Sequence, residues 1–146
     1  MKIINKKAKF DYQIFDKLEV GIVLTGAEVK SVKLGHISLG EAYVRIIGGN
    51  LFLLNANISP YKFADNQKYD PKRSRKLLAK KAQINKLIQK IETKNISLVP
   101  TAIYTKNNLI KLEIAEAKGK KEFEKRESKK RADIDRQTAK ILKNYH

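Results

Sequence analysis

The chain has 146 residues, a formal net charge of +17 and no cysteine. These values disfavour a multidomain enzyme, exclude disulfides and thiolate metal sites, and favour a polyanionic partner such as nucleic acid. No apolar run approaches the roughly 20 residues of a membrane-spanning helix, and the N-terminus lacks the apolar stretch of a signal peptide. We therefore expect no membrane partner and a cytoplasmic protein.

The first third of the chain predicts two strands and a short helix. Apolar residues recur with a period of two in two places: Phe10, Tyr12 and Ile14, then Val20, Ile22 and Leu24. Thr25-Gly-Ala-Glu28 has the form of a capping box, because the threonine hydroxyl and the glutamate can cap each other's amides. We expect a helix to begin there and to end near Gly35.

The middle of the chain predicts a β-hairpin, a loop and an amphipathic helix. The apolar runs 42–47 and 51–58 flank Gly48-Gly49-Asn50, where glycines tolerate the positive φ of a hairpin turn. Residues 59–74 show no apolar period and predict a surface loop, and residues 75–79 allow a short strand. Residues 80–93 predict a helix, whose apolar stripe is Ile84, Leu87, Ile88 and Ile91.

Two further apolar segments, 96–105 and 109–117, predict a pair of strands joined by Asn107-Asn108. A sheet with so small a number of strands must protect its edge strands, and this favours closure into a barrel over a sandwich of two sheets. The predicted fold is mainly β with helices: a small antiparallel OB-like β-barrel of about six strands with two to three helices. We assign this barrel to residues 1–118.

Residues 119–146 form a basic tail. They hold seven lysines and three arginines against three glutamates and two aspartates, a net charge of +5. Apolar residues are sparse before Ile134, so we expect this segment to be disordered in isolation. A helical stripe then follows, at Ile134, Thr138, Ile141, Leu142 and Tyr145. The tail can therefore fold on a surface, although an ordinary basic extension remains the alternative.

The sequence shows little that indicates catalysis. The histidines are His36, beside a glycine that ends a helix, and the terminal His146, and neither is placed as a catalytic base. We expect no catalytic residue, no metal site and no cofactor. Basic residues on every predicted element, with six tyrosines among them, instead favour RNA binding.

Four strings make the interpretation specific, and they occur in this order: Asn5-Lys-Lys-Ala8, Gly21-Ile-Val-Leu-Thr-Gly-Ala-Glu-Val-Lys-Ser31, Asp70-Pro-Lys-Arg-Ser-Arg-Lys-Leu-Leu78 and Gly119-Lys-Lys-Glu-Phe-Glu-Lys-Arg126. Together they closely resemble the SmpB family of SsrA-binding proteins. The resemblance implies trans-translation: the barrel binds the tRNA-like domain of transfer-messenger RNA in place of an anticodon arm. The partners it implies are this RNA and the ribosome, including ribosomal RNA of the small subunit. We expect a monomer that is not an enzyme.

The same resemblance implies which barrel residues bind RNA. Asn5, Glu19 and Leu78 match family residues important for this binding, and Lys6 and Lys7 are candidate phosphate contacts. Glu19 is acidic and cannot bind phosphate, so it either accepts hydrogen bonds from a base or ribose or supports a basic neighbour. Leu78 has the alternative of packing in the core.

In the tail, the resemblance implies entry into the decoding centre and the empty message channel, where the tail becomes helical. Its candidate residues are Gly119, Lys120, Lys121, Phe123, Glu124, Lys125, Arg126, Ile134, Ile141, Leu142 and Tyr145. Glu124, Lys125 and Arg126 stand for the family's usual Asp-Lys-Arg, and Phe123 replaces a frequent histidine. Two rival hypotheses remain: a generic barrel-type RNA-binding or ribosomal protein with an electrostatic tail, and a magnesium-dependent nuclease.

Overall fold

The structure is a computed structural model that describes residues 1–120. Its helices are α1 (Lys6–Asp11), α2 (Gly26–Lys33) and α3 (Lys81–Lys94). Its strands, in chain order, are β1 (Lys2–Ile4), β2 (Tyr12–Ile22), β3 (Ile37–Ser38), β4 (Tyr43–Ile47), β5 (Asn50–Leu54), β6 (Asn57–Ile58), β7 (Arg75–Leu78), β8 (Ser97–Lys106) and β9 (Leu109–Gly119).

Six antiparallel strands close into a ring, in the order β8-β4-β5-β7-β2-β9 and back to β8, and β1 adds to β8. This confirms the predicted mainly β, OB-like architecture with three helices. The ring is uneven, because β2 pairs with β9 over most of its length. β4 and β8 are in register at one position within residues 1–120, where Val44 pairs with Leu98.

The core fills the interior of the ring with the inward side chains of the strands. One layer crosses four strands in register, since Ile3 pairs with Ile103, Ile103 with Leu112, and Leu112 with Val20. Three of these four residues are 2% exposed or less. Because the same strands turn their alternate residues outward, this layer also fixes which side chains face solvent.

Several predictions from local sequence are confirmed. In the capping box, the Glu28 amide donates to Thr25 Oγ1 at 3.2 Å and the Thr25 amide donates to Glu28 Oε1 at 2.9 Å. The turn between β8 and β9 places Asn107 and Asn108 at φ of 51° and 63°. Residues 59–74 contain no helix or strand, and the helix predicted from residue 80 is α3.

The strand predicted through Phe10, Tyr12 and Ile14 is wrong at its start. Residues 6–11 form α1, because Asn5 Oδ1 accepts a hydrogen bond from the Ala8 amide at 3.2 Å and caps the helix. Tyr12 and Ile14 belong to the long β2, which continues to Ile22. The run 51–58 is likewise divided between β5 and β6, since Asn55 has a φ of 62° and interrupts the strand.

The boundary predicted at Gly119 is too early. Gly119 ends β9 opposite Tyr12, and the Lys120 amide donates to the Asp11 carbonyl at 2.9 Å, so both residues are joined to the body. The other tail predictions lie outside the described residues, namely Lys121, Phe123, Glu124, Lys125, Arg126, Ile134, Ile141, Leu142 and Tyr145. Among residues 1–120, no helix has the length and hydropathy to cross a membrane, and no cluster of three or more possible metal ligands occurs.

Candidate nucleic-acid interface

One outward surface of the sheet carries several of the residues singled out above. A register row crosses five strands, in which Lys2 pairs with Tyr104, Tyr104 with Lys111, Lys111 with Gly21, and Gly21 with Leu78. We call this row, together with Glu19, Lys76 and Lys106, the open face. Leu78, at the end of this row, is 54% exposed.

Leu78 lies on the open face against a glycine. A Cβ atom at Gly21 would stand 3.2 Å from the Leu78 Cβ, so the missing side chain leaves room for the leucine to lie on the sheet. The alternative of core packing for Leu78 is wrong, because its neighbour Leu77, at 2% exposed, takes the inward position. The Leu78 side chain is therefore accessible on the outer surface of the sheet.

Cations surround Leu78 on the same surface. Lys76 precedes it by two residues and therefore points to the same side of β7, where it is exposed. Lys111 pairs with Gly21 in the adjacent strand. Neither lysine forms a salt bridge with another residue of the described chain. Both ammonium groups are thus available to neutralise phosphate.

Glu19 is held by two neighbours on the open face. The Tyr104 hydroxyl donates to Glu19 Oε2, and Lys106 Nζ donates to Oε1 at 3.4 Å. The tyrosine hydrogen bond is the largest influence on the pKa of Glu19 and lowers it, with Lys106 and Lys111 acting in the same direction against partial desolvation. Glu19 is therefore ionised at neutral pH, and of its two predicted roles the structure shows the support of basic and phenolic neighbours.

Tyr104 is a site residue that sequence reasoning missed. Burial and the hydrogen bond to Glu19 raise the pKa of Tyr104 to about 12, so its hydroxyl remains protonated. Lys2 Nζ lies 5.9 Å from the centroid of the ring. The available signal was weak, since Tyr104 was one of six tyrosines and its partner Glu19 lies 85 residues away.

Asn5 does not face solvent. It is 5% exposed, and its amide nitrogen donates to the Leu39 carbonyl at 3.1 Å and to the Pro100 carbonyl at 2.8 Å while its oxygen caps α1. The side chain therefore uses its hydrogen bonds inside the protein. Its structural role is to place α1 against β8, so its influence on any ligand passes through that helix.

The two lysines after Asn5 differ. Lys6 is exposed and forms no salt bridge within the described residues, whereas Lys7 Nζ donates to Glu41 Oε1. The hydrogen bond and charge of Glu41 raise the pKa of Lys7. The structure thus leaves Lys6 as the freer cation of the pair. It brings Glu19 and Leu78 together on the open face and places α1 beside β8.

Comparison with known proteins gives consistent matches along the whole chain. A family model described as "SmpB protein" matches residues 2–144. An SsrA-binding protein of Syntrophotalea carbinolica is 47% identical over 148 residues, covering 100% of this chain and 99% of that protein. One from Enterococcus faecalis is 47% identical over 140 residues, covering 96% of this chain and 91% of that protein.

A solved structure is similar in fold as well. Its chain, described under "tmRNA-SmpB: a journey to the center of the bacterial ribosome", is 37% identical, with a TM-score of 0.68. The match covers 83% of this chain and 85% of that one. Because the family model and the full-length relatives agree, the chain belongs to the SmpB family of SsrA-binding proteins.

Proposed function

We propose that this chain binds the tRNA-like domain of transfer-messenger RNA and brings it to stalled ribosomes. The family match supports this, since its members include proteins named SsrA-binding protein and a solved relative is described with transfer-messenger RNA and the bacterial ribosome. Within the structure, the observation that carries the proposal is the open face, where exposed Leu78 lies among unpaired lysines. The chain acts in the cytoplasm as a binding factor and performs no chemistry itself.

The open face suits a folded RNA because it combines three kinds of contact. Lys76 and Lys111 neutralise phosphates, which positions the RNA without reading its sequence. Leu78 packs on a ribose or on the edge of a base. Tyr104, whose hydroxyl is held by Glu19, offers the RNA a protonated hydroxyl and a ring edge. Glu19 also holds Lys106 on the open face. Lys6 adds a phosphate contact from α1.

The tail acts after RNA binding, in the empty message channel of the ribosome. Lys125 and Arg126 bind ribosomal phosphates, with Glu124 beside them, and Phe123 stacks on a base. The stripe of Ile134, Ile141, Leu142 and Tyr145 supplies the apolar side of a helix formed there. The basis for these roles is the motif match and the sequence pattern.

The binding role is tested with Leu78→Ala. We expect this variant to fold with unchanged stability, since the side chain is 54% exposed, and to lose about 1 kcal/mol of RNA affinity, roughly fivefold, through lost apolar contact. Titration of the isolated tRNA-like domain measures the loss. Leu34→Ala is the matched control, because Leu34 is 60% exposed and caps the end of α2, outside the open face. Equal affinities in both variants would remove Leu78 from the interface.

The tail role is tested with a protein carrying Lys125→Ala and Arg126→Ala. We expect normal binding of the tRNA-like domain and at least a tenfold loss of tagging on a stop-less message in a reconstituted translation system. The control is a tail of the same composition with residues 127–146 in shuffled order. If both the double variant and the shuffled tail support normal tagging, the result would favour a generic RNA-binding protein whose tail acts through charge alone.

A further inference from the structure

The loop between β6 and β7 presents an aromatic pair, half-buried Tyr61 and exposed Phe63, that the open face does not include. Phe63 is 79% exposed, the highest exposure among the large apolar side chains of the described residues. Its ring lies edge-on to Tyr61, with centroids 5.6 Å apart and planes at 68°. Lys62 Nζ lies 5.6 Å from the Phe63 ring centroid, and Lys30 Nζ of α2 lies 5.3 Å from that of Tyr61. We call these four residues the loop platform.

The loop platform rests on a rigid base. Asn66 Nδ2 donates to the carbonyls of Tyr61, at 2.8 Å, and Ala64, at 3.0 Å, which fixes the turn that carries Phe63. Tyr69 then ties the loop to the barrel, since its hydroxyl donates to the Ile58 carbonyl at 2.9 Å.

The far end of the loop is held from inside the protein. Arg75 is fully buried, and it donates to the carbonyls of Pro71, at 2.9 Å, and Arg73, at 3.0 Å. It also donates to Glu28 Oε2 at 2.8 Å, and Glu28 belongs to α2, the helix that carries Lys30. The aromatic pair and its cations are therefore assembled before any ligand arrives, which lowers the entropy cost of binding.

From this geometry we propose that the loop platform binds an unpaired nucleobase of RNA, as a second contact in addition to the open face. A free base stacks on an exposed ring, and cations beside the ring neutralise the flanking phosphates. The surrounding charge fits this ligand, because residues 59–74 hold four basic side chains against two aspartates and α2 adds Lys30 and Lys33. An apolar protein partner would bury Lys30 and Lys62 with the rings, at a desolvation cost that RNA does not impose.

The inference rests on the proposed RNA-binding function and extends it. The loop meets the strand that carries Gly21 at one point, where Arg73 Nη2 donates to the carbonyl of Val23, the residue after β2, at 3.5 Å. An RNA that offers a folded backbone to the open face and a single-stranded nucleotide beside it would engage both surfaces. A fully paired RNA would engage the open face alone.

A tryptophan reporter tests the proposal, because the chain has no tryptophan of its own. In the full-length protein, Phe63→Trp places the sole indole on the loop platform, where a stacked base quenches its fluorescence. The probes are a single-stranded 12-mer of adenosine and a 12-base-pair RNA duplex. We expect saturable quenching by the single strand and little by the duplex. The control is Ile47→Trp, since Ile47 is also exposed, at 51%, but lies on β4, which carries no residue of the open face or the loop platform; its fluorescence should not respond.

A second variant separates base stacking from simple apolar contact. Phe63→Leu keeps an apolar side chain and removes the ring, so affinity for the single strand should fall roughly 5- to 150-fold while Phe63→Trp retains it. The proposal is overturned by unchanged affinity in Phe63→Leu, which would show that the ring does not stack on the single strand, or by equal quenching at both tryptophans. If the wild-type protein fails to bind the isolated tRNA-like domain, the proposed function itself is wrong. If the wild-type protein binds that domain but the tryptophan at position 63 shows no quenching, the proposed function stands and only this inference is wrong.

Discussion

Glu28 and Glu19 make similar contacts in two different environments. Each has a tyrosine hydroxyl beside it: that of Tyr69 lies 3.2 Å from Glu28 Oε2, and that of Tyr104 donates to Glu19 Oε2. Each also accepts from a cation, Arg75 Nε at 2.8 Å for Glu28 and Lys106 Nζ at 3.4 Å for Glu19. The difference is solvent, because the Glu28 side chain is 0% exposed and the Glu19 side chain is 36% exposed.

Burial decides what each carboxylate does. Burial by itself opposes the ionisation of Glu28, but hydrogen bonds from Arg73, the Thr25 amide and Arg75 outweigh it and lower the pKa to about 2. This network joins α2 to the loop and to β7, so it stabilises the fold. Around Glu19, water screens the same interactions, and the group contributes little to stability while remaining accessible to a ligand.

The largest expected effect is on stability. Glu28→Gln removes the charge that compensates buried Arg75 and should lower the free energy of unfolding by about 3–5 kcal/mol, as breaking a buried ion pair does. Glu19→Gln should lower it much less, because water screens the interactions of this carboxylate. Urea denaturation followed by circular dichroism measures both. Similar losses in the two variants would mean that burial does not separate the two carboxylates.

The pH dependence should follow the same carboxylate. The pKa of Glu28 falls from 4.5 to about 2 on folding, so its contribution is complete above pH 4.5 and is lost as the pH falls towards 2. The shift corresponds to about 3 kcal/mol. As the pH is lowered from 6 to 2, the urea concentration at the unfolding midpoint should fall for the wild-type protein. It should fall less for Glu28→Gln. Parallel curves would show that other groups cause the acid sensitivity.

The smallest expected effect concerns the tyrosines. Tyr104→Phe removes the largest cause of the low pKa of Glu19, so that pKa should rise towards its ordinary value, with stability changed by about 0.5 kcal/mol or less. Tyr69→Phe should leave the pKa of Glu28 low, because the arginines and the Thr25 amide hold it. Carbon-detected NMR titration of the two carboxyl groups compares them. A Glu19 pKa that does not move would remove Tyr104 as its support.

Local sequence predicted the elements whose causes are local. The capping box at Thr25, the asparagine turn at Asn107 and the apolar stripe of α3 each depend on residues within a few positions of one another. The helix α1 was missed although its capping residue, Asn5, is also local. The alternation of apolar residues that belongs to β2 was extended backwards to Phe10, which lies in α1. The resemblance to the family was carried by contiguous strings, so it too could be read without a structure.

Only the tertiary structure decided what the individual site residues do. Asn5 and Leu78 were both predicted to contact RNA, yet one is buried and engaged by the carbonyls of Leu39 and Pro100 while the other is exposed beside Gly21. Likewise Glu28 is 47 residues from Arg75, and Glu19 is 85 from Tyr104. Strand pairing brings such distant residues together, and burial sets their exposure to solvent. Both are properties of the closed ring of strands, whereas a sequence pattern extends over only one turn or one strand.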